Sequence, residues 1–261
     1  MKKFRLAVIG TPVSHSLSPR IHGAFAEALG LEVGYDAVEV APEELRGFVT
    51  RSRRDYDGYN ITMPHKETVA PLLDALGDTA AACGAVNTVV NVGGRLTGHI
   101  TDGAGILRSL EPYFGSYEGK NAVIIGAGGA AKTAAVSLSG AGADVTCVSR
   151  RAAAVAGAKR ADFASLETLA ETADVIINCT PLGMSGHDAF ADFDFLAGVT
   201  AVVFDLVYNP RQTELLGRAR SLGLRTVEGV SLLVWQAAYA FELFTGTQVP
   251  RELAERVMRE L

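Results

Sequence analysis

Apolar runs and polar breaks in the first hundred residues predict short strands and helices. Residues 4–9 are apolar except for Arg5, which is typical of a largely buried strand. Ser18-Pro19 then predicts a helix start, because serine caps free backbone amides and proline suits the first helical position. We expect this helix to end at Gly30. The remaining predicted elements are strands at 35–40 and 58–61, helices at 42–53 and 64–77, and a hairpin at 88–100.

After residue 102 the pattern changes to a regular alternation of strands and helices. Strands are predicted at 122–125, 144–148, 175–178 and 201–206, and helices at 103–110, 130–140, 165–170, 231–244 and 251–261. The strands are almost entirely apolar, which is typical of a parallel sheet covered on both faces. The chain is therefore predicted to form two α/β domains, 1–102 and 103–230. The last helices, 231–261, are expected to pack back on the first domain.

The composition narrows the class of protein. The chain has 261 residues, of which 48% are apolar and 20% charged, and its formal charge of -5 argues against a general nucleic-acid binder. No apolar run reaches the ~18 residues that suggest a membrane span. Cys83, Cys147 and Cys179 have neither disulfide nor metal-ligand spacing. We expect a cytoplasmic protein with no bound metal, no membrane partner and no nucleic-acid partner, either a monomer or a homodimer.

A glycine-rich turn in the second half has the pattern of a dinucleotide site. Residues 121–131 read NAVIIGAGGAA, so that an apolar strand leads through Gly126 and Gly128 to a helix that contains Ala131. In this fingerprint the first glycine forms the tight turn, the second lets the backbone approach the pyrophosphate, and the small last residue allows close helix packing. The helix start adds unpaired amides and partial positive charge. A strand-turn-helix with a purely structural role is the alternative.

The end of the following strand indicates which dinucleotide is bound. An NAD site usually has an acid about 20 residues after the glycine turn, where it accepts the ribose hydroxyls. Here the strand ends in Ser149-Arg150-Arg151, without an acid. Guanidinium groups suit a 2′-phosphate, so the sequence predicts NADP rather than NAD. The alternative is a solvated, basic helix start.

Polar motifs in the first half fall at predicted strand ends or helix starts, where rigid elements present side chains to a cleft. Ser14 and Ser16 are surplus to the helix cap expected at Ser18, and their hydroxyls suit a carboxylate. Lys66 falls in the first turn of the predicted helix 64–77, where a cation is poorly placed, and this misplacement indicates a function.

Lys66 and Asp102 together suit a hydride-transfer reaction. When a hydride leaves an alcohol carbon, the hydroxyl proton must leave as well, and a lysine held near a carboxylate can take it. A helix cap at Asp102 is the alternative interpretation. The five histidines are scattered and lack ligand spacing, so they predict no metal site.

The succession of motifs resembles the shikimate dehydrogenases over nearly the whole chain. The resemblance is carried by SHSLSP at 14–19, NITMPHK at 60–66, GAVNT at 84–88, TDG at 101–103, GAGGAAK at 126–132, NCTPLGMSG at 178–186, YNPRQTELL at 208–216 and GVSLLVWQAAYAFELFTG at 229–246. It implies reversible, NADPH-dependent reduction of 3-dehydroshikimate to shikimate, in the pathway to chorismate and the aromatic amino acids. It also implies an N-terminal substrate-binding domain, a C-terminal Rossmann-type NADP-binding domain and a cleft between them.

The resemblance also implies roles for individual residues. Lys66 is the implied acid/base and Asp102 its partner, while Ser14 and Ser16 match residues that hold the substrate carboxylate. Residues around the substrate ring and its hydroxyls are matched by Thr62, Asn87, Tyr208 and Gln236. Cofactor contacts are matched by Asp78, Gly126, Ala127, Gly128, Gly129, Ala130, Ser149, Arg150, Arg151, Leu206 and Gly229.

The chain departs from the family pattern at three places. His65 stands where the family commonly has phenylalanine, Ile100 stands where it often has asparagine, and Ser149-Arg150-Arg151 replaces Asn-Arg-Thr. The first two positions lie beside Lys66 and Asp102, so they could alter substrate preference.

Two alternative functions remain at this stage, a quinate/shikimate dehydrogenase and a non-catalytic regulator that binds a dinucleotide on the same fold. The serine pair and the missing strand-tip acid argue against the first. The intact set Lys66, Asn87, Asp102 and Gln236 argues against the second, because a regulator has no need of a proton-transfer pair.

Overall fold

The computed structural model describes residues 3–150 and 154–261, which fall into two compact units. The first unit extends to Thr101 and includes Val234–Leu261, and the second is Asp102–Leu233. Within the described residues each unit contains a six-stranded sheet with helices. The predicted α/β class is therefore confirmed.

The first unit is built on a mixed sheet. Its elements are β1 (Lys3–Gly10), α1 (Ser18–Leu29), β2 (Glu32–Glu39), α2 (Leu45–Asp55), β3 (Gly58–Ile61), β4 (Ala75–Leu76), α3 (Asp78–Cys83), β5 (Thr88–Val92) and β6 (Arg95–His99). The strand order is β2-β1-β3-β5-β6-β4, with β5 antiparallel to both β3 and β6. Because β1 and β3 are parallel, the carboxyl ends of β1, β3 and β6 meet the amino end of β5 at one edge.

The second unit is built on a parallel sheet. Its elements are α4 (Asp102–Leu110), β7 (Asn121–Ile125), α5 (Gly129–Gly140), β8 (Asp144–Val148), β9 (Lys159–Ala161), α6 (Leu166–Glu171), β10 (Val175–Asn178), β11 (Val202–Asp205), α7 (Glu214–Ser221) and β12 (Thr226–Val227). The strand order is β12-β11-β10-β7-β8-β9. The chain extends from β7 to one side and then returns to the other side at β10. Such a switch point leaves a crevice at the carboxyl ends of the strands.

Both faces of the parallel sheet are covered, which explains its apolar strands. In β7, Ile124 packs into the hydrophobic core on one face and Val123 into the core on the other, and both side chains are buried. A strand with two buried faces has no solvent-facing position at which a polar side chain would be favoured. The near-continuous apolar runs of the sequence are therefore a direct consequence of this architecture.

Two helices end the chain, α8 (Gly229–Thr245) and α9 (Arg251–Glu260). The part of α8 in the first unit packs on that unit's sheet, where Ala240 and Phe244 contact Phe4 and Leu6. Arg20 on α1 also donates a hydrogen bond to the Glu260 carbonyl. None of the described helices combines the length and apolarity that a bilayer crossing requires.

The predicted helix at 64–77 is wrong. The segment forms successive turns, a short 3-10 helix at Ala70–Leu72 and the two-residue strand β4. Pro71 explains the difference, because a proline seven positions after Pro64 removes a helical amide and collides with the preceding turn. Lys66 therefore lies in a turn, and the argument from its misplacement in a first helical turn does not hold.

The predicted cap at Ser18 is also wrong. Ser18 is the first residue of α1, and the cap position is Leu17, which makes no side-chain capping hydrogen bond. The backbone N–H of Ser18 instead donates to the hydroxyl oxygen of Ser16 at 3.2 Å. Ser16 therefore serves the helix start itself.

Gly58 allows α8 to pack closely against the first sheet. A Cβ at Gly58 would lie 2.5 Å from the Phe244 ring and 2.8 Å from the Val89 carbonyl. We predict that Gly58→Ala lowers the free energy of unfolding by about 1–3 kcal/mol, because packed cores do not absorb extra volume. Chemical denaturation followed by circular dichroism measures the change.

Gly23→Ala is the matched control in the same unit. Gly23 is an exposed position in α1, and a Cβ there would lie more than 4 Å from every neighbouring atom of residues 3–150 and 154–261. This variant should be more stable than wild type by about 0.5–1 kcal/mol, because alanine is favoured in a helix interior. Equal stability of the Gly58 and Gly23 variants would contradict the packing argument.

Candidate functional site

The glycine turn after β7 has the backbone that a dinucleotide fingerprint requires. Gly126 has φ +128°, and a Cβ there would lie 3.3 Å from the backbone of Cys179. A Cβ on Gly128 would have no atom of the described residues within 4 Å, so the backbone is open to close approach. Ala131, inside α5, is fully buried, which lets the helix pack closely on the strand. The residues present therefore fit a pyrophosphate at the start of α5.

Most of the other predicted cofactor residues lie at the same edge of the parallel sheet. Ser149, which is buried, and Arg150, which is exposed, follow β8, and Leu206 follows β11. Gly229 begins α8, where a Cβ would lie 2.4 Å from the Val207 carbonyl. Residues 126–130 complete this group at the carboxyl edge. Arg151 lies outside the described residues, and Asp78 belongs to the first unit, as the exposed first residue of α3.

A buried carboxyl, which sequence analysis missed, holds a loop segment at the same edge of the parallel sheet. Asp205 ends β11 with no exposed surface and accepts hydrogen bonds from Asn178, Val207 N–H and Thr213 at 2.9, 3.1 and 2.6 Å. Burial raises the pKa of Asp205, and these hydrogen bonds oppose the shift. The carboxyl thus anchors the segment that follows β11, which carries Leu206 and the exposed Tyr208. A polar residue that ends an apolar strand was the available signal.

The predicted lysine lies in a turn that is bound to its neighbours through the backbone. The Lys66 carbonyl accepts a hydrogen bond from Val86 N–H at 2.8 Å, immediately before Asn87. The buried His65 ring donates through Nε2 to the Val40 carbonyl at 2.7 Å. Thr62 N–H donates to the Ile9 carbonyl at 2.9 Å, which ties the turn to β1. The half-buried Lys66 is therefore presented from a backbone held on several sides.

Several candidate substrate residues gather at one edge of the first sheet. Ser14, which is exposed, and Ser16, which is half-buried, lie in the loop after β1, and Thr62 and Lys66 follow β3. Asn87 precedes β5 at the same edge. Serine hydroxyls, an ammonium and an amide in this arrangement suit a small, anionic, hydroxylated ligand.

Asn87 and Gln236 are brought together although 149 positions separate them in the sequence. Asn87 Nδ2 donates to Gln236 Oε1 at 3.4 Å and to Thr101 Oγ1 at 3.0 Å, and Asn87 Oδ1 accepts from Thr101 N–H at 2.8 Å. Asp102 follows Thr101 directly as the first residue of α4. By the division of the chain, Asp102 and Tyr208 belong to the second unit.

The buried histidine of α1 does not qualify as a proton donor. Burial lowers the pKa of His22 to about 3, so the ring is neutral near pH 7. The ring stacks on Tyr35 with 4.4 Å between centroids. Among residues 3–150 and 154–261, no three His, Cys, Asp or Glu side chains are grouped as metal ligands.

The second unit has a glycine turn at the carboxyl edge of a parallel sheet, and the first unit presents a lysine and amides. These features together define the class of nicotinamide-dinucleotide oxidoreductases. Comparison with protein families specifies it further. Residues 8–89 match the family described as shikimate dehydrogenase substrate binding domain, and residues 229–259 match the shikimate 5'-dehydrogenase C-terminal domain. Residues 103–197 match the NAD binding domain of D-isomer specific 2-hydroxyacid dehydrogenases.

Individual relatives match nearly the whole chain. The shikimate dehydrogenase (NADP(+)) of Moorella thermoacetica is 40% identical over 98% of this chain and 92% of its own. The solved structure of shikimate 5-dehydrogenase from Thermus thermophilus, in complex with NADP(H) and shikimate, is 37% identical with a TM-score of 0.89 over 98% and 99% of the chains. Quinate dehydrogenase from Corynebacterium glutamicum, in complex with NAD, is 31% identical with a TM-score of 0.89 over 99% of each chain. The chain belongs to the shikimate dehydrogenase family.

The glycine turn yields a prediction that separates ligand binding from stability. In Gly128→Ala the new methyl group meets no atom of the described residues, so the free energy of unfolding should fall by no more than about 1 kcal/mol, the cost of alanine at a helix N-cap. The methyl group occupies the space that a pyrophosphate needs, so the Kd for NADPH should rise by about tenfold or more, ~1.4 kcal/mol or more. Calorimetric titration and thermal melts measure the two quantities.

Two variants of the same unit complete this test. Gly115→Ala should change neither quantity, because this position is exposed and a Cβ there would meet no atom within 4 Å in the part of the chain that the structure describes. Gly126→Ala should lower the melting temperature as well, because its φ of +128° is strained for alanine. An unchanged NADPH affinity in Gly128→Ala would exclude this turn as the pyrophosphate site.

Proposed function

We propose that this protein catalyses the reversible, NADP-dependent reduction of 3-dehydroshikimate to shikimate, a step toward chorismate and the aromatic amino acids. The observation that carries the proposal is the hydrogen bond between Val86 N–H and the Lys66 carbonyl, which holds a lysine beside the Asn87–Gln236 amide pair. The family relationship supports the substrate, since relatives that match nearly end to end are shikimate dehydrogenases.

The first unit takes the substrate in this proposal. Ser14 and Ser16 bind the substrate carboxylate as hydroxyl donors, and both follow β1 at the edge where Lys66 lies. Thr62, Asn87 and Gln236 contact the ring and its hydroxyls, together with Tyr208 of the second unit. The domains of the proposal are 1–102 for the substrate, with helices 231–261, and 103–230 for the dinucleotide.

Lys66 performs the proton transfer. NADPH, when bound, supplies the hydride that reduces the carbonyl carbon. The Lys66 ammonium gives a proton to the carbonyl oxygen, so that one C–H and one O–H bond form and a neutral amine remains. Asp102 is the proposed partner that orients this ammonium. In the reverse direction the neutral amine accepts the hydroxyl proton.

The second unit binds NADP rather than NAD in this proposal. Ser149 and the exposed Arg150 follow β8, and neither is an acid that would accept ribose hydroxyls. The Arg150 guanidinium is available for a 2′-phosphate, and Arg151 adds a second by its place in the sequence. Residues 126–130, Leu206 and Gly229 contact the remainder of the dinucleotide, and Asp78 is a further proposed contact.

The proposed compartment is the cytoplasm. Cys147 and Cys179 are thiols rather than disulfide partners, and burial raises the pKa of Cys147 to about 11. Thiols of this kind suit a reducing compartment.

An assay with four pairings tests the proposed function. Purified protein is incubated with shikimate or quinate and with NADP or NAD, and the absorbance of the reduced nicotinamide is followed. The proposal requires that shikimate with NADP gives the highest kcat/KM. A preference for quinate would instead indicate a quinate dehydrogenase. Shikimate binding without turnover under any pairing would indicate a regulator.

The role of Lys66 leads to a prediction about Lys66→Met. This change keeps most of the apolar stem and removes the ammonium, so turnover should fall by about 10²–10⁴-fold, the usual range for a general acid/base. Shikimate binding, measured by calorimetry, should persist. Lys159→Ala is the control, because Lys159 is a well-exposed lysine on β9 of the second unit. Wild-type turnover in Lys66→Met would remove this residue from the chemistry.

A further inference from the structure

A chain of hydrogen-bonded side chains runs beneath Asn87 in the first unit. The Tyr35 hydroxyl donates to Asn60 Oδ1 at 2.7 Å, and Asn60 Nδ2 donates to Thr88 Oγ1 at 3.0 Å. Thr88 Oγ1 then donates to Asn87 Oδ1 at 2.9 Å. Thr88 has no exposed surface, and Asn60 and Asn87 are 6% and 2% exposed. Thr88 therefore cannot touch a ligand and acts only through its neighbours.

Backbone groups independently fix the orientation of both amides in this chain. Asn60 Nδ2 also donates to the Asn87 carbonyl at 3.2 Å, so a reversed Asn60 amide would place two oxygens against each other. Thr101 N–H donates to Asn87 Oδ1 at 2.8 Å. A reversed Asn87 amide would therefore place its NH₂ group, a donor, against this N–H, which is also a donor. Opposed like groups in a buried site are costly. Each amide therefore has one acceptable orientation.

The Thr88 hydroxyl must form hydrogen bonds with both amides at the same time. A hydroxyl has one hydrogen, so Thr88 accepts from Asn60 and gives its hydrogen to Asn87. The Tyr35 hydroxyl gives its hydrogen to Asn60, so in its hydrogen bond with Ser18 the serine hydroxyl is the donor. Burial raises the pKa of Tyr35, so the phenol keeps the proton that it donates. Every hydrogen bond of the chain consequently runs in the same direction, from Tyr35 toward Asn87.

This direction determines what Asn87 offers to a ligand. With Oδ1 held by Thr88 and by Thr101 N–H, the NH₂ group donates to Thr101 Oγ1 at 3.0 Å and to Gln236 Oε1 at 3.4 Å. The second distance is long for an N–H···O hydrogen bond, so a ligand oxygen can replace it at little cost. We propose that Thr88 is a positioning residue, which holds the Asn87 amide so that its NH₂ group donates to an oxygen of the substrate. This inference rests on the proposed function of the site.

Thr88→Val tests the proposal because valine keeps the shape and removes the hydroxyl. We expect the KM for shikimate to rise about tenfold, ~1.4 kcal/mol, which is within the range of one lost hydrogen bond. The KM for NADP should stay unchanged, and kcat should change less than the KM for shikimate. Thr88→Ser restores the hydroxyl and should return the KM for shikimate to the wild-type range. Unchanged KM for shikimate in a folded Thr88→Val variant would overturn the proposal.

Ser52→Ala is the matched control for a merely structural effect. Ser52 on α2 is also a buried hydroxyl of the first unit, and it donates to the Val49 carbonyl at 2.9 Å. This variant should lose stability in chemical denaturation but keep the wild-type KM for shikimate. If Ser52→Ala raises that KM as much as Thr88→Val does, the effect is general loosening of the unit and the proposal is wrong.

Tyr35→Phe provides a second test, which also serves if Thr88→Val does not fold. Removing the phenol hydroxyl takes away the donor to Asn60 Oδ1, so the KM for shikimate should rise, by less than in Thr88→Val. In the double variant Tyr35→Phe/Thr88→Val, the KM should equal that of Thr88→Val, because the chain is already broken. A wild-type KM in Tyr35→Phe, or fully additive effects in the double variant, would overturn the directional chain.

The wild-type enzyme separates failure of this inference from failure of the proposed function. If wild type oxidises shikimate and the Thr88 and Tyr35 variants keep its KM, only the inference fails. If wild type does not turn over shikimate, the proposed function fails, and calorimetric Kd values for shikimate replace KM in the same comparison. Absence of shikimate binding to wild type would overturn both.

Discussion

The position of β3 between β1 and β5 is the constraint on which the candidate substrate site depends. The parallel pairing of β1 with β3 brings the loops after both strands to one edge, and the antiparallel pairing of β5 brings its amino end there. The pairing of these strands therefore places Ser16, Lys66 and Asn87 at one edge of the sheet, and no contact among their side chains is required for this placement. A register slip of one residue in β3 would turn Asn60 away from Thr88, because neighbouring positions of a strand face opposite sides. The sheet thus controls both the ligand-facing side chains and the chain of hydrogen bonds beneath them.

In the second unit, the candidate ligand-binding segments are held in place mainly by close backbone approaches rather than by polar side chains. Gly126 and Gly229 each pack where a Cβ would meet backbone atoms of another segment, Cys179 in the first case and Val207 in the second. Such contacts leave little freedom for the turn after β7 and for the start of α8. Asp205 adds a side-chain anchor, because its carboxyl binds Val207 N–H and so fixes the segment between these approaches. A dinucleotide at this edge would meet a surface that needs little rearrangement.

Sequence analysis predicted the elements that depend on burial of apolar residues. It missed the features that depend on contacts between residues far apart in the chain. The apolar strands were predictable, since Val123 and Ile124 must both be buried in a sheet covered on two faces. The helix at 64–77 was wrong because Pro64 was treated as a helix start, although tertiary hydrogen bonds and a second proline determine the segment. Helix α7 was missed although Thr213 caps it, since its apolar stripe is short. The site motifs were visible, but the direction of the Asn60–Thr88–Asn87 hydrogen bonds was not, because it depends on partners distant in the chain.

His65 departs from the family pattern, and the backbone hydrogen bonds of its turn accommodate this departure. The family resemblance has an aromatic ring at this position, and the imidazole fills it at 1% exposure while its Nε2–H binds the Val40 carbonyl. A phenyl ring would supply the volume without the hydrogen bond. The placement of Lys66 is nevertheless set by the backbone, since its carbonyl accepts from Val86 N–H and Thr62 is bound to β1. Because these bonds do not involve the side chain of His65, the substitution changes how the turn is tied to the end of β2 and leaves the lysine backbone in place.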